Sequence, residues 1–545
     1  MLRKIAVNRF KKFPALEIDL QKQSFIVGPN NSGKTTVLQS LAFGAEIGTV
    51  WLERNKEGDL DYRRADAVEA HFSNFSIAQE RLNELWWNQD VNHPITVRMV
   101  AENFDVGFCL DWWDAEKVEI RPSPETHPDA LAAYAEAPLK AMYIASLSGL
   151  DINETKWDDG VIPVRLARGQ GGTVLRSMIA AISHDEEKWA RLQQTVKYLF
   201  GGAELSKPSG DDPIIVRYRH SPEAHWHSFL NASAGFLQTV LVQSALLHSD
   251  ATLLLIDEPD AHLHALLKES MYRILREHCD KNGCQALIAT HSSLLIDAAD
   301  KEEGQNLFLV SAEGLRSVKR SQARDLLKIP FNEIVLAETT RRILYVEGRS
   351  DLDILRAWAK VLDHPAGRYL NTPFCVETAE RPKRNNSKRH YRALKVHVQT
   401  LQALEIQDRN GKSFEGWDGD WAEGCLPRKE EAAGMQLVYW PRREIESYLL
   451  HPKTLQRFIA HQIGEEEAQK HINDLLPPAL IKDPAIDLSQ DKDTIADVLT
   501  KAGVDLKESE YDKIASEMLA DEIHPDVVAM LDTIAAQLMD GDGAP

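Results

Sequence analysis

The sequence predicts an α/β protein built around one sheet, and three stretches predict it. FIVGPNNSGKTT (Phe25–Thr36) sets a glycine-rich loop between an apolar run and a helical pattern of Val37, Leu38, Leu41 and Ala42. LLLIDEPDAHLH (Leu253–His264) is an apolar strand ending in two carboxylates, Asp257 and Glu258. ALIATHSS repeats the design, with a strand at Ala286–Ala289 ending in Thr290 and His291. Open α/β sheets carry their sites at the carboxyl ends of strands. The three strand ends are therefore expected to meet.

The core of the first stretch, Gly28-Pro29-Asn30-Asn31-Ser32-Gly33-Lys34-Thr35, fits G-x-x-x-x-G-K-[ST] at every fixed position. Gly28 and Gly33 let the backbone curl so that its N–H groups face a phosphate, and the helix N-terminus adds partial positive charge. ATP contacts are expected from Gly28, Asn30, Asn31, Ser32, Gly33, Lys34, Thr35 and Thr36. Lys34 would reach the β- and γ-phosphates, and the Thr35 hydroxyl would take a place on Mg²⁺. Asp257 would hold that Mg²⁺ through water, Glu258 would orient or deprotonate the attacking water, and His291 would sense the γ-phosphate. A glycine-rich turn with a chance lysine is the bland alternative, and the flanking strand and helix argue against it.

Length and composition bound the rest. At 545 residues the chain predicts two to four domains at roughly 150 residues each. Its 43% hydrophobic and 27% charged residues are those of a globular protein with full cores. No apolar run reaches the roughly 18 residues that span a membrane, and MLRKIAVNRFKKF lacks the features of a signal peptide, so a cytoplasmic protein is expected. Cys109, Cys279, Cys284, Cys375 and Cys425 are odd in number and form no C-x-x-C pair, which fits reduced thiols and not a zinc site. The net charge of −20 is unevenly spread. Residues 456–545 hold 20 Asp/Glu against 7 Lys/Arg, a net of −13, leaving about −7 elsewhere and room for local basic faces.

In chain order, residues 2–20 alternate as paired strands and lead into the phosphate-loop strand. Helical runs are expected around Asp66–Trp87. Strands follow at Ile95–Ala101, Val106–Trp112, Val118–Ile120 and Ala141–Ala145. Trp86, Trp87, Trp112 and Trp113 are read as core packing in preference to stacking platforms. Residues 174–200 have helical periodicity, and Ile214–Tyr218 is expected to reopen the nucleotide-binding sheet. A second domain should begin near Arg341 with the strand Ile343–Val346. From about Leu455 short acidic helices are broken by Pro477, Pro478, Pro484 and Pro525. His262 and His264 read as loop and helix-start residues, not metal ligands.

Between the first two motifs lies NASAGFLQ (Asn231–Gln238), ahead of a helix at Thr239–Leu247. It resembles the signature loop of ABC-type ATPases, with Ser233 and Gly235 in the matching places and Ala234 replacing a glycine. The resemblance implies that Ser233 and Gly235 close on the phosphates held by a partner subunit, hence a homodimer or higher oligomer through the ATPase domains. NRF…GPNNSGKTT and DEPDAHLH look like the SMC- and RecF-like branch, with Ala265 where many relatives have proline.

RRILYVEGRSDLDILRAWAKVL (Arg341–Leu362) resembles the first motif of Toprim domains, with Glu347 ending a strand and Asp351 at a helix start. Taken alone, this pattern is equally an N-capped helix after a strand. LEIQDRNGKS (Leu404–Ser413) resembles the Toprim D-x-D strand, with Asp408 in the first position and Asn410, an uncharged departure, in the second. WPRREIESYLLHP (Trp440–Pro452) resembles the segment that supplies a further metal carboxylate in OLD-family (overcoming lysogenization defect) nucleases, by match Glu446 in preference to Glu444. An ATPase followed by a Toprim domain is that family's architecture. The resemblance covers roughly residues 1–455 and implies an ATPase domain at 1–338 followed by a Toprim-like domain at 339–455; the helical periodicity adds an insertion at about 150–212, and the charge count an acidic helical region at 456–545. The resemblance also implies an ATP-hydrolysing, metal-dependent DNA endonuclease, often of prokaryotic anti-phage defence.

Glu347, Asp351, Asp408 and Glu446, with Asn410, are hard oxygen donors suited to Mg²⁺ or Mn²⁺. Two such ions could clamp the attacking and leaving oxygens of a phosphodiester, with Glu347 and Asp408 as catalytic ligands. ERPKRNNSKRHYRALK (Glu380–Lys395) gathers Arg381, Lys383, Arg384, Lys388, Arg389, Arg392 and Lys395, with His390 and Tyr391 interleaved. In an acidic protein this reads as DNA-backbone contact against the bland alternative of a solvated face. Two rival readings remain: a DNA-binding repair ATPase whose Toprim domain is only a scaffold, and a toxin-like effector that cuts RNA and is restrained by a partner encoded beside it.

Overall fold

Two compact units, residues 1–328 and 329–545, make up the computed structural model. It describes residues 1–56, 66–77, 80–147, 149–292, 295–296, 305–311, 314–378, 386–409, 424, 426–476 and 494–539. The alternating N-terminal residues form a hairpin, Leu2–Phe10 against Phe13–Asp19, with Ile5, Val7, Leu16 and Ile18 buried on one face. The hairpin joins a six-stranded antiparallel sheet with Ile95–Ala101, Asp105–Trp112, Lys117–Pro122 and Val68–His71.

The phosphate-loop strand Gln23–Val27 lies in a different sheet. Its spatial order is Gly314–Ser317, Gln305–Ser311, Gln23–Val27, Gln285–Thr290, Leu253–Asp257 and Ala141–Ile144. All but the antiparallel edge strand Gly314–Ser317 run parallel. Parallel strands covered on both faces need unbroken apolar runs, which explains FIV, LLLI and ALIA. The Lys34–Lys56 helix shares one core with both sheets: Leu38, Leu41 and Trp51 cluster with Ile5, Val7 and Met99 of the first and Leu253, Leu255 and Leu287 of the second.

Three sequence expectations change. The stretch Asp66–Trp87 is not helical: it gives the strand Val68–His71 and short 3₁₀ turns at Phe72–Asn74, Leu82–Leu85 and Trp87–Gln89. Pairing of Val68–His71 with Lys117–Pro122 overrides the helical pattern, and Leu82, Leu85 and Trp86 bury themselves from the turns. Arg217–Arg219 does not reopen the main sheet but forms a small three-stranded sheet with Glu204–Leu205 and His227–Ser228. Of the tryptophans, Trp86 is core and meets Trp112 edge-on at 5.6 Å, whereas Trp113 is 59% exposed.

The periodicity over 174–200 resolves into two helices, Leu175–Ser183 and Glu186–Leu199. Asp185 separates them, its carboxylate accepting from the Glu187 and Lys188 N–H groups as an N-cap.

In the second unit a five-stranded sheet runs Cys375–Glu377, Arg342–Val346, Gln402–Gln407, Met435–Tyr439 and Arg428–Ala432. The first four are parallel and the last is antiparallel to its neighbour. The helices beyond residue 455 are not separate from this sheet. Ile459, Ile472, Ile514, Met530 and Ile534 share one hydrophobic cluster with Leu344, Leu404 and Val438. Charge is sorted by face: Glu465, Glu466 and Glu467 are exposed while Ala468 and Ile472 are buried. Among the described residues no helix is long and apolar enough to cross a membrane.

Candidate functional site

The phosphate loop requires its glycines. A side chain at Gly28 would put its first carbon 2.6 Å from the Ser32 Oγ and 2.8 Å from the Val310 carbonyl, and Gly33 has φ +107°. Asn31 is left-handed too, at φ 63°. The Lys34 ammonium donates to the Gly28 and Pro29 carbonyls at 3.0 Å each, and burial lowers its pKa. Asn30, Asn31 and Thr35 are exposed, Gly33 and Thr36 are half-buried, and Ser32 is buried.

Parallel register brings the three strand ends together, with Asp257 beside Ala289 and Thr290 beside Val27. The Thr35 hydroxyl donates to Asp257 Oδ2 at 2.6 Å. Asp257 is buried, and burial raises its carboxyl against the lowering hydrogen bond from Thr35. His291 Nδ1 meets Glu258 Oε1 at 3.2 Å. That hydrogen bond lowers the Glu258 carboxyl and raises the His291 imidazole, the first cause in both cases. The geometry suits an acid–base pair at the edge of a phosphate site.

Sequence reasoning missed two neighbours. The buried Tyr143 hydroxyl donates to Asp257 Oδ2 at 3.3 Å, from a strand in register with Leu253–Ile256. Lys12, at the hairpin turn, donates to the Ser32 carbonyl of the phosphate loop. Only strand register could have revealed the first, and the KK pair before Phe13 was the sole signal for the second.

Ser233 caps the helix Ala234–His248, its hydroxyl accepting from the Phe236 N–H at 3.3 Å, and is itself exposed. Gly235 is buried against the loop that follows Glu258: a side chain there would come within 2.8 Å of the His262 carbonyl. His264 precedes the Ala265–Asn282 helix at its N-cap, as expected of a helix-start residue.

In the second unit Glu347 and Asp408 directly follow adjacent parallel strands, in register from Arg342 beside Gln402 to Tyr345 beside Glu405. The Asp408 N–H donates to Glu347 Oε1 at 3.0 Å, and Asp408 Oδ1 accepts from the Ile445 N–H at 3.1 Å, next to Glu446. Asp351, in the first turn of Arg349–Val361, accepts from the Gly348 N–H at 3.3 Å, so it also closes a helix start. Burial first, then the charges of Glu347, Glu446 and Asp351, push the Asp408 carboxyl up to about 9. Burial, with Asp351 and Glu444 nearby, pushes Glu446 up to about 7. Yet among the described residues no three His, Cys, Asp or Glu side chains are grouped closely enough to hold a metal ion as they stand. Asn410 lies outside the described residues.

Of the basic stretch, Arg381, Lys383 and Arg384 also lie outside the described residues. Lys388 is paired with Glu431 at 2.9 Å, and Arg392 is exposed on the Asn386–His397 helix. Arg389 is on the same helix and is engaged in a contact of its own. Lys395 donates to the Leu401 carbonyl at 2.6 Å. The interleaved rings are not exposed platforms: Tyr391 donates to the Leu401 and Ala433 carbonyls, and His390 sits between Tyr345 and Glu333.

The parallel sheet, the phosphate loop and the carboxylate-bearing strand ends that meet it are the parts of a P-loop nucleotide-binding domain. Two family models match, one described as "AAA domain, putative AbiEii toxin, Type IV TA system" over residues 154–297 and one as "AAA ATPase domain" over residues 1–47. In sequence the chain is OLD-like: it is 22% identical over 394 residues to an OLD nuclease of Thermus scotoductus, spanning 64% of this chain and 72% of that protein. Two solved structures resemble it loosely. An SMC head bound to the C-terminal winged-helix domain of ScpA is 16% identical, with 58% of this chain and 96% of that one covered at a TM-score of 0.35. The SMC head domain from Thermotoga maritima is 15% identical, with 58% and 98% covered at 0.31.

Proposed function

We propose that this chain is an ATP-hydrolysing, metal-dependent DNA endonuclease of the OLD type, working in the cytoplasm in defence against phage. One observation carries the nuclease part: Glu347 and Asp408 follow neighbouring parallel strands and share a 3.0 Å hydrogen bond, and burial, then the charges of Glu347, Glu446 and Asp351, raises Asp408 to about 9. Half-buried like charges at strand ends are costly without a cation, which supports Mg²⁺ or Mn²⁺ at this place. Glu347, Asp351, Asp408, Glu446 and Asn410 would hold it. The cation would supply charge stabilisation for phosphodiester hydrolysis. The likeness to an OLD nuclease supports the same reading.

On the ATPase side, Lys34, Thr35 and Asp257 would hold ATP and Mg²⁺, and Glu258 and His291 would act on the attacking water. Gly28, Asn30, Asn31, Ser32, Gly33 and Thr36 would complete the cradle. Ser233 and Gly235 would close on a second copy. Arg381, Lys383, Arg384, Arg389 and Arg392 would contact the DNA backbone, with Lys388 already engaged by Glu431. The deciding experiment is cleavage of supercoiled plasmid with ATP and Mg²⁺ or Mn²⁺, wild type against Glu347→Ala. Equal inertness of both on DNA and RNA would leave the second reading, a scaffold domain on a DNA-binding ATPase. The absence of a ready three-donor group among the described residues is what favours that second reading.

A further inference from the structure

Asp260 is a fully buried carboxylate two residues beyond the proposed base, and nothing in the nucleotide chemistry above uses it. Its Oδ1 accepts from the Thr290 hydroxyl at 3.0 Å. Its Oδ2 lies 3.1 Å from the Lys268 ammonium, an ion pair without hydrogen-bond alignment. Lys268, on the helix Ala265–Asn282, also donates to the Ser292 hydroxyl at 3.4 Å. The Ser292 N–H in turn donates to the Thr290 hydroxyl oxygen at 3.0 Å. Thus the residues on both sides of His291 are fastened to Asp260 and Lys268. On the other side of the same circuit, the Glu258 N–H donates to the Ala289 carbonyl at 2.9 Å.

The loop so fastened is strained. Glu258 has φ 48° and His262 has φ 62°, both left-handed and neither glycine. Such conformations are unfavourable for side chains of this kind and persist only when their surroundings hold them. Asp260 sits between them. A buried ion pair is a poor means of adding stability, because apolar residues of the same volume often do as well. What it adds is direction: one ion pair and its two hydroxyl contacts, Thr290 on Asp260 and Ser292 on Lys268, fix where the strand ends lie.

We propose that Asp260 and Lys268 are positioning residues for ATP hydrolysis. Neither touches nucleotide. They fix the loop after Glu258 and the strand end bearing His291, so that these two side chains meet at 3.2 Å. The inference rests on the reading of Glu258 as the base.

The test uses the full chain and measures steady-state ATPase with equilibrium binding of a fluorescent ATP analogue. Asp260→Asn and Lys268→Gln should each lower kcat by about tenfold or more, as a misplaced catalytic group does. KM and the analogue's Kd should stay within about twofold, because uniform binding is untouched. Lys268→Arg should recover most of the rate, and the double variant should be no worse than the poorer single, as expected of residues acting as a unit. Unchanged kcat overturns the proposal, as does a kcat loss matched by lost binding, or single losses that multiply in the double. If Asp260→Asn does not fold, Lys268→Gln against Lys268→Arg decides on the same readouts. An inert wild type, or full turnover in Glu258→Gln, would instead overturn the reading of Glu258 itself.

Discussion

The Thr35 hydroxyl donates to Asp257 Oδ2 at 2.6 Å, joining residues 222 positions apart. The bond sets the first helix turn of the phosphate loop against the end of the central strand, where an Mg²⁺ ion on ATP would sit. Lys34→Ala is expected to abolish nucleotide binding. Glu258→Gln should bind ATP normally and lose turnover, accumulating a closed dimer measurable by size-exclusion chromatography with ATP. Normal turnover in Glu258→Gln would place the base elsewhere.

Asp408 raised to about 9 means that, at pH 7.5 and without a cation, its carboxyl is protonated. A divalent ion must expel that proton to bind. Calorimetric titration with Mn²⁺ in buffers of different ionisation enthalpy should show about one proton released per site at pH 7.5, falling toward zero above pH 9. Cleavage should rise with pH over the same range, stop with EDTA, and fail in Asp408→Ala. Asn410→Asp should keep or raise activity. Metal binding with no proton release would mean that Asp408 is not a ligand.

Gly235 has no room for a side chain beside the His262 carbonyl. Gly235→Ala is expected to cost about 1–3 kcal/mol of stability through overpacking and to slow ATP turnover by displacing the loop after Glu258. Thermal unfolding and ATPase rate read the two effects separately. A variant with full stability and full rate would show that the helix start and the loop move independently.

Charge on the basic stretch is predicted to act on DNA affinity alone. Alanine at Arg384, Arg389 and Arg392 should weaken binding of every duplex similarly, make the salt dependence shallower, and leave ATPase unchanged. Lys388→Ala should add little to that loss, since its ammonium is held by Glu431. An unaltered salt slope in the triple variant would mean that these residues do not contact the DNA backbone.

Glu522 gives an acid-stability test. Burial would raise its carboxyl, but the Arg457 guanidinium, the Leu519 N–H and the Thr454 hydroxyl hold it down at about 2. The stabilisation is present above the ordinary carboxylate range near 4.5 and is lost as pH falls toward 2. Allowing for solvent at the one-third-exposed Arg457, its size is on the order of 2 kcal/mol. Arg457→Met should lower the urea midpoint at pH 6 and lose most of that difference by pH 2.5. A difference that persists undiminished at pH 2.5 would assign the loss to packing.

The meeting of the phosphate loop with two strand ends was legible in the sequence because its pattern is local. A phosphate loop needs glycines at fixed spacing, and a buried parallel strand must be apolar until it surfaces at its carboxylates, so the nearness of Thr35 to Asp257 and of Glu258 to His291 could be expected from the chain alone. The stretch Asp66–Trp87 misled because its apolar residues serve an edge strand and tight turns, and strand pairing with Lys117–Pro122 is not written in either segment. The acidic run after residue 455 looked like a tail because charge counts ignore faces; folding turned its apolar side into the core under Leu344 and Leu404. Tyr143 against Asp257, Lys268 against Asp260 and Lys388 against Glu431 were decided only by tertiary structure. Each pairs a side chain with one from another segment, and such a contact depends on register and packing between elements, which local pattern does not encode.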